Sequence, residues 1–178
     1  MVPYNEISMK RVILTLLAMT FFGLFGNAAP LEVGSPAPTP AALDQDGKPL
    51  DLAAIYAKGV TLVYFYPKAD TPGCTKQACS LRDSYASLGG AGIQVVGVSK
   101  DTVEAQKKFQ EKYSLPFPLI ADHDGKVAEA FHVDLIPVVG ITQRQSFLVK
   151  DGKIAWVNPK AKTEGAADEV RQAAAALK

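Results

Sequence analysis

The chain has 178 residues, 48% of them hydrophobic and 21% charged, and a formal net charge of +1. This is enough apolar chain for one well-buried core, and no basic cluster points to nucleic acid. Repeats and low-complexity tracts are missing apart from an Ala-rich C-terminal segment, so a repeat architecture is excluded as well.

Lys10-Arg11 precede the apolar run Val12–Phe25, and the small residues Gly26 and Ala28 follow it. This is the layout of a secretory signal peptide over residues 1–28, cleaved after Ala28, with Met9 as an alternative start. The run is short for a spanning helix, although an uncleaved anchor is the competing reading and the one route to a membrane. No cysteine stands at the cleavage point to take a lipid. Removing Lys10, Arg11 and Glu6 leaves 17 basic and 17 acidic residues in the domain at 29–178. The expected location is an exported one, the periplasm.

The domain is expected to begin with a hairpin around Asp46-Gly47, followed by a buried strand at Val60–Tyr66 that ends at Pro67. Thr71 suits an N-cap, Pro72 the first helical position and Gly73 a tight turn, so a helix starts here and Cys74 falls in its first turn. Cys74, Ala78, Leu81, Tyr85 and Leu88 recur at helical spacing up to Gly89-Gly90. A strand at Ile93–Val98 and a helix at Thr102–Tyr113, capped by Asp101 and Glu104, come next. A strand at Phe117–Ile120, a short helix at Gly125–Phe131, a hairpin at Gln145–Val157 across Asp151-Gly152 and a helix at Thr163–Leu177 complete the order. Alternating strands and helices followed by an antiparallel hairpin predict an α/β fold, a mixed central sheet flanked by helices on both faces.

Cys74 is one of only two cysteines. At a helix N-terminus, free backbone N–H groups and the positive end of the helix dipole favour an anion, and a thiol there is readily turned into a thiolate nucleophile. Cys79 lies five residues on, off the packed face. Five residues of helix rise about 7.5 Å, and cysteines whose Cα atoms lie beyond about 7 Å cannot be bridged without backbone movement. A disulfide between them therefore requires the helix to unwind, which suits a pair that meets during a reaction cycle. A permanent disulfide in a non-helical loop and two inert thiols are the other readings of the same residues.

Tyr64-Phe65-Tyr66-Pro67-Lys68-Ala69-Asp70-Thr71-Pro72-Gly73-Cys74-Thr75-Lys76-Gln77-Ala78-Cys79 resembles the active-site signature of peroxiredoxins, and more narrowly that of the bacterioferritin comigratory protein, or peroxiredoxin Q, branch. The similarity runs from about Val33 to the C-terminus. It implies a thioredoxin-like fold and a thiol-dependent peroxidase acting on hydrogen peroxide and organic hydroperoxides. Carried over residue by residue, it makes Cys74 the peroxidatic cysteine, Cys79 the resolving cysteine, Thr71 and Pro67 the other members of the motif, and Arg144 the arginine before the late strand. The segment between Phe131 and Arg144 is shorter than in some relatives and lacks their charged insertion.

The roles implied have chemical reasons. The Cys74 thiolate attacks a peroxide oxygen while Arg144 and backbone N–H groups meet the charge on the leaving oxygen. Thr71 can hold the peroxide in line, and Pro67 keeps bulk water off the sulfur. Cys79 condenses with the resulting sulfenic acid, and a thioredoxin or thioredoxin-like dithiol reduces the disulfide. No cofactor, metal, flavin or nucleotide, is required, and a monomer is expected. An exported chain needs a local dithiol donor, since the compartment is oxidising.

Two other functions suit an exported protein of this fold: copper delivery, through two thiolates and a His, and thiol–disulfide exchange. The five-residue cysteine spacing disfavours the first, and the absence of Cys-x-x-Cys the second. Of the remaining polar residues, His123 reads as a turn residue, His132 as a helix end, Trp156 as packing, and Lys68 and Asp70 as solvated charges.

Overall fold

The β-branched and aromatic run Val60–Phe65 forms the central strand β1 of a five-stranded sheet in the computed structural model, which describes residues 31–177. Parallel to β1 on one side lies Ile93–Ser99 (β2), followed by Leu119–Ala121 (β3). Antiparallel to it on the other side lies Gln145–Lys150 (β4), which turns back into Lys153–Asn158 (β5). The turn of that hairpin holds Asp151 at φ 52° and Gly152 at φ 70°, the left-handed pair that an Asp-Gly turn supplies. The sheet is mixed, with the order β3-β2-β1-β4-β5.

Six helices accompany it among the described residues: Leu52–Tyr56 (α1), Pro72–Asp83 (α2), Tyr85–Gly90 (α3), Val103–Tyr113 (α4), Lys126–Ala130 (α5) and Ala166–Ala175 (α6). Successive strand residues point to opposite faces, which divides the core into two layers. Leu62, Tyr64 and Val95 pack with Cys74, Ala78, Leu81, Leu88, Phe109 and Val170. Val63, Phe65, Val96, Val98 and Phe147 pack with Leu52, Tyr56, Val127 and Phe131. Helices thus cover both faces, as expected. Gly97 is required by this packing, because a Cβ there would stand 2.8 Å from Leu119 Cδ2 and 2.9 Å from the Tyr64 ring end.

Several local expectations are corrected. Around Asp46-Gly47 the chain makes a turn with a single bridge, Leu43 to Pro49, in place of a hairpin. Pro49 has no N–H to extend a ladder, and the Leu43 carbonyl accepts instead from Ala121 N–H on β3. The helix carrying the cysteines breaks at Ser84, so Tyr85 and Leu88 belong to the separate helix α3. The N-cap of α4 is Thr102, whose Oγ1 accepts from Ala105 N–H, while Asp101 is engaged elsewhere. The strand expected at Phe117–Ile120 is Leu119–Ala121, and the last helix starts at Ala166 after Gly165. Helix α1, capped by the Asp51 carboxylate on Ala54 N–H, was not expected, since five residues are too few to show a helical period. The expected leader at residues 1–28 lies outside the described residues.

Candidate active site

The loop that leaves β1 delivers Cys74. Tyr66 is held before the loop by its own backbone: its N–H donates to the Val98 carbonyl at 3.0 Å, and its carbonyl accepts from the buried Thr142 Oγ1 at 2.8 Å. Pro67 follows, half-buried, then Lys68–Thr71, and α2 begins at Pro72. Thr71 occupies the N-cap with extended backbone, yet its side chain makes no cap hydrogen bond. Its hydroxyl donates instead to the Lys68 carbonyl at 2.9 Å. The first helical bond runs from Thr75 N–H to the Thr71 carbonyl, which leaves the amides of Gly73 and Cys74 ahead of the ladder.

Cys74 is therefore a first-turn residue, and it is buried at 1% exposure within the core layer that contains Tyr64 and Tyr66. From the residue just before β4, the Arg144 guanidinium donates Nη2 to Cys74 Sγ at 3.2 Å. Its Nη1 donates to Gln77 Oε1 at 2.5 Å, and Gln77 is itself 1% exposed. The planar guanidinium spans one turn of α2, one nitrogen on the sulfur and the other on the amide three residues later. Gly73 leaves room for it, since a Cβ there would meet Arg144 Nη2 and Thr163 Cγ2 at 3.4 Å each. A fixed cation at the sulfur and free amides in the same turn are placed to meet an oxyanion formed beside it.

Gln77 was not singled out in the sequence. The available signal was a polar side chain at i+3 from Cys74, on the face of the helix that packs.

Cys79 is half-exposed and both cysteines are free. They lie in one unbroken helix, so the pair cannot close without unwinding. The first turn of α6 and the segment before it secure that helix: Ala167 N–H donates to Ser80 Oγ at 3.3 Å, and Lys76 pairs with Glu164 at 2.6 Å.

Asp70 is an exposed charge, as expected, and it is also paired. It sits at φ 57°, its carboxylate bound by Lys112 Nζ at 2.7 Å and by the Tyr113 hydroxyl at 2.6 Å. These two donors at the end of α4 hold its carboxyl below the usual carboxylate range. Burial pushes the Tyr64 and Tyr66 phenols above their ordinary range, so both stay protonated. The two rings stack at 5.5 Å. His123 lies in a turn, its Nδ1 3.3 Å from the Lys100 carbonyl, and His132 follows α5 at φ 52°. Among the described residues, no group of three or more His, Cys, Asp or Glu is arranged to hold a metal ion.

Comparison with known proteins is consistent across sequence and structure. The profile of the AhpC/TSA family matches residues 33–157. Peroxiredoxin Bcp of Escherichia coli is 44% identical over 147 residues, which is 79% of this chain and 94% of that protein. The crystal structure of peroxidoxin BcpB from Mycobacterium tuberculosis superposes with a TM-score of 0.77 at 30% identity, covering 83% of this chain and 99% of that one. The bacterioferritin comigratory protein of Xanthomonas campestris, whose structures were described for its alkyl peroxide reduction activity, superposes with a TM-score of 0.73 at 28% identity, covering 83% and 100%. The fold is thioredoxin-like.

Proposed function

The chain belongs to the AhpC/TSA family, in its Bcp and peroxiredoxin Q branch, and from that premise we propose that Cys74 is the peroxidatic and Cys79 the resolving cysteine of a two-cysteine cycle. The protein is a thiol peroxidase that takes its electrons from a thiol reductant. The observation that carries the assignment of roles is the Arg144 guanidinium 3.2 Å from Cys74 Sγ in the first turn of α2.

In this cycle the Cys74 thiolate attacks the terminal oxygen of ROOH, an S–O bond forms, the O–O bond breaks, and RO⁻ leaves as ROH after taking a proton. Arg144 and the amides of Gly73 and Cys74 offset the charge that the leaving oxygen acquires. Thr71 orients the peroxide, and Pro67 limits water at the sulfur. Cys74 is left as a sulfenic acid. The first turns of α2 then open, and the Cys79 sulfur displaces hydroxide from the Cys74 sulfur to form the disulfide, with water as the product. An external dithiol reduces that disulfide in two exchanges and leaves as its own disulfide. A fixed dithiol or metal chelate needs two sulfurs that converge, whereas an intact α2 holds them apart; copper delivery is not favoured.

The finer reading is an exported, periplasmic monomer reduced by a thioredoxin-like protein. The basic pair and apolar run at Lys10–Phe25 support export. Among the described residues no helix is long and apolar enough to cross a membrane.

Stopped-flow oxidation of the reduced protein by hydrogen peroxide and an organic hydroperoxide tests the cycle. Fast thiol loss that disappears in Cys74→Ser, with sulfenic acid accumulating in Cys79→Ser, is expected. Oxidation at the rate of an ordinary thiol would overturn the assignment. Cell fractionation and N-terminal sequencing test export: a mature chain starting at Ala29 is expected, and a cytoplasmic full-length chain would refute it.

A further inference from the structure

The loop between β1 and α2 is held by a polar chain, buried at Tyr66, Gln106 and Ser99 and half-buried at Asp101 and Ala69, that the peroxidase cycle does not use. Ala69 N–H, in the middle of the loop, donates to Asp101 Oδ2 at 2.7 Å. The same oxygen accepts from the Ser99 hydroxyl at 2.7 Å. Ser99 Oγ accepts in turn from Gln106 Nε2 at 2.8 Å, and that nitrogen also donates to the Ile120 carbonyl at 2.9 Å. Gln106 Oε1 accepts from the Tyr66 hydroxyl. Tyr66, Ser99 and Gln106 are all 0% exposed.

The direction of these bonds is forced. Ser99 Oγ receives an amide proton from Gln106, so its own proton faces Asp101. Gln106 donates through nitrogen, so its oxygen faces Tyr66. From Tyr66 through Gln106 and Ser99 the side-chain donors run toward the Asp101 carboxylate, with a second Gln106 bond going to the Ile120 carbonyl, and in such a series each bond polarises the next. The chain begins at Tyr66, immediately before Pro67, and ends at Ala69, two residues before Thr71. It grips both sides of the segment that carries the motif.

Resting on the thiol peroxidase reading, we propose that Asp101 is a positioning residue for the peroxide step, setting through Ala69 the placement of Pro67 and Thr71 while leaving the Arg144 contact with Cys74 sulfur intact. A carboxylate suits this position because one oxygen must accept two donors from different directions, one of them a backbone amide that no strand or helix satisfies. A misplacement of about 1 Å at a reacting centre can cost about 100-fold in rate, which sets the scale of the effect.

The test compares two reactions of reduced full-length protein: single-turnover oxidation by hydrogen peroxide, and alkylation of Cys74 by iodoacetamide in a Cys79→Ser background. Peroxide needs Pro67 and Thr71 aligned at the sulfur, whereas iodoacetamide needs a nucleophilic sulfur and a path to it through the half-buried loop, and parent and variant are compared under the same access. Asp101→Ala is expected to slow oxidation by at least about 10-fold and to leave alkylation within about twofold. Asp101→Asn is expected to restore oxidation to within about threefold of the parent, because both bonds fall on Oδ2 and an Asn can place its single carbonyl oxygen there. Equal oxidation rates in parent and Asp101→Ala would overturn the proposal. So would parallel loss of both reactions, or an Asn variant as slow as the Ala variant. A parent protein that itself oxidises like an ordinary thiol would overturn the peroxidase reading instead.

Discussion

Replacing Arg144 by Met removes the guanidinium while keeping an unbranched apolar stem of similar reach. Arg144 Nη2 lies 3.2 Å from Cys74 Sγ. Two unit charges at that separation interact by about 5 kcal/mol at an effective dielectric of about 20, a ceiling for this contact. Arg144 is half-buried, so solvent takes part of that energy. One preorganised donor at a reacting oxyanion site is typically worth about 3–4 kcal/mol, a factor of about 100 to 1,000 in rate. Arg144→Met is therefore expected to lower the second-order rate of peroxide oxidation about 100- to 1,000-fold. Arg144→Lys should recover only part of it, since an ammonium cannot contact the sulfur and Gln77 with a planar fork. The single tryptophan, Trp156, packs against the layer that contains Cys74 and can report the oxidation by stopped-flow fluorescence. Thermal melting beside the kinetics separates loss of catalysis from loss of fold. A well-folded Arg144→Met protein that oxidises within about threefold of the parent would refute the reasoning, because a cation worth about 3 kcal/mol cannot vanish without effect.

Gln77→Leu frees the Nη1 side of Arg144 and is expected to slow peroxide oxidation by about 10-fold, but to add little when Arg144 is already Met; a double-mutant cycle in stopped flow reads this coupling. Ser80→Ala removes the acceptor for Ala167 N–H and so loosens the hold of α6 on α2 next to Cys79, at the edge of the turns that open. One hydrogen bond of about 1 kcal/mol predicts disulfide closure about fivefold faster, with the peroxide step unchanged, by rapid-quench mass spectrometry. Asp122 is 2% exposed and accepts from Val127 N–H and Ala128 N–H at 2.8 Å each. Asp122→Ala leaves two buried amides unpaired, which predicts a loss of about 2–3 kcal/mol and a Tm lower by about 5–10 °C in calorimetry.

Much of the protein was legible in one dimension because its signals are local. Pro72 at the first helical position, Gly73 behind it and the apolar residues at Cys74, Ala78 and Leu81 are near neighbours in the chain, and they alone place a buried cysteine in a helical first turn. The five-residue spacing of Cys74 and Cys79 likewise carries its meaning without a structure, since the rise of a helix depends on nothing distant. The β-branched strands and the Asp151-Gly152 turn are equally local, and the mixed sheet follows from their order. What tertiary structure alone decided are pairings between residues far apart in sequence. Gln77 against Arg144 is separated by 67 positions, Asp101 against Ala69 by 32, and Asp70 against Lys112 by 42. Local grammar even misassigned Asp101, which by spacing caps a helix but in the fold satisfies a loop amide. A carboxylate can serve any N–H that comes within reach, and which one comes within reach is settled only when the strands have packed.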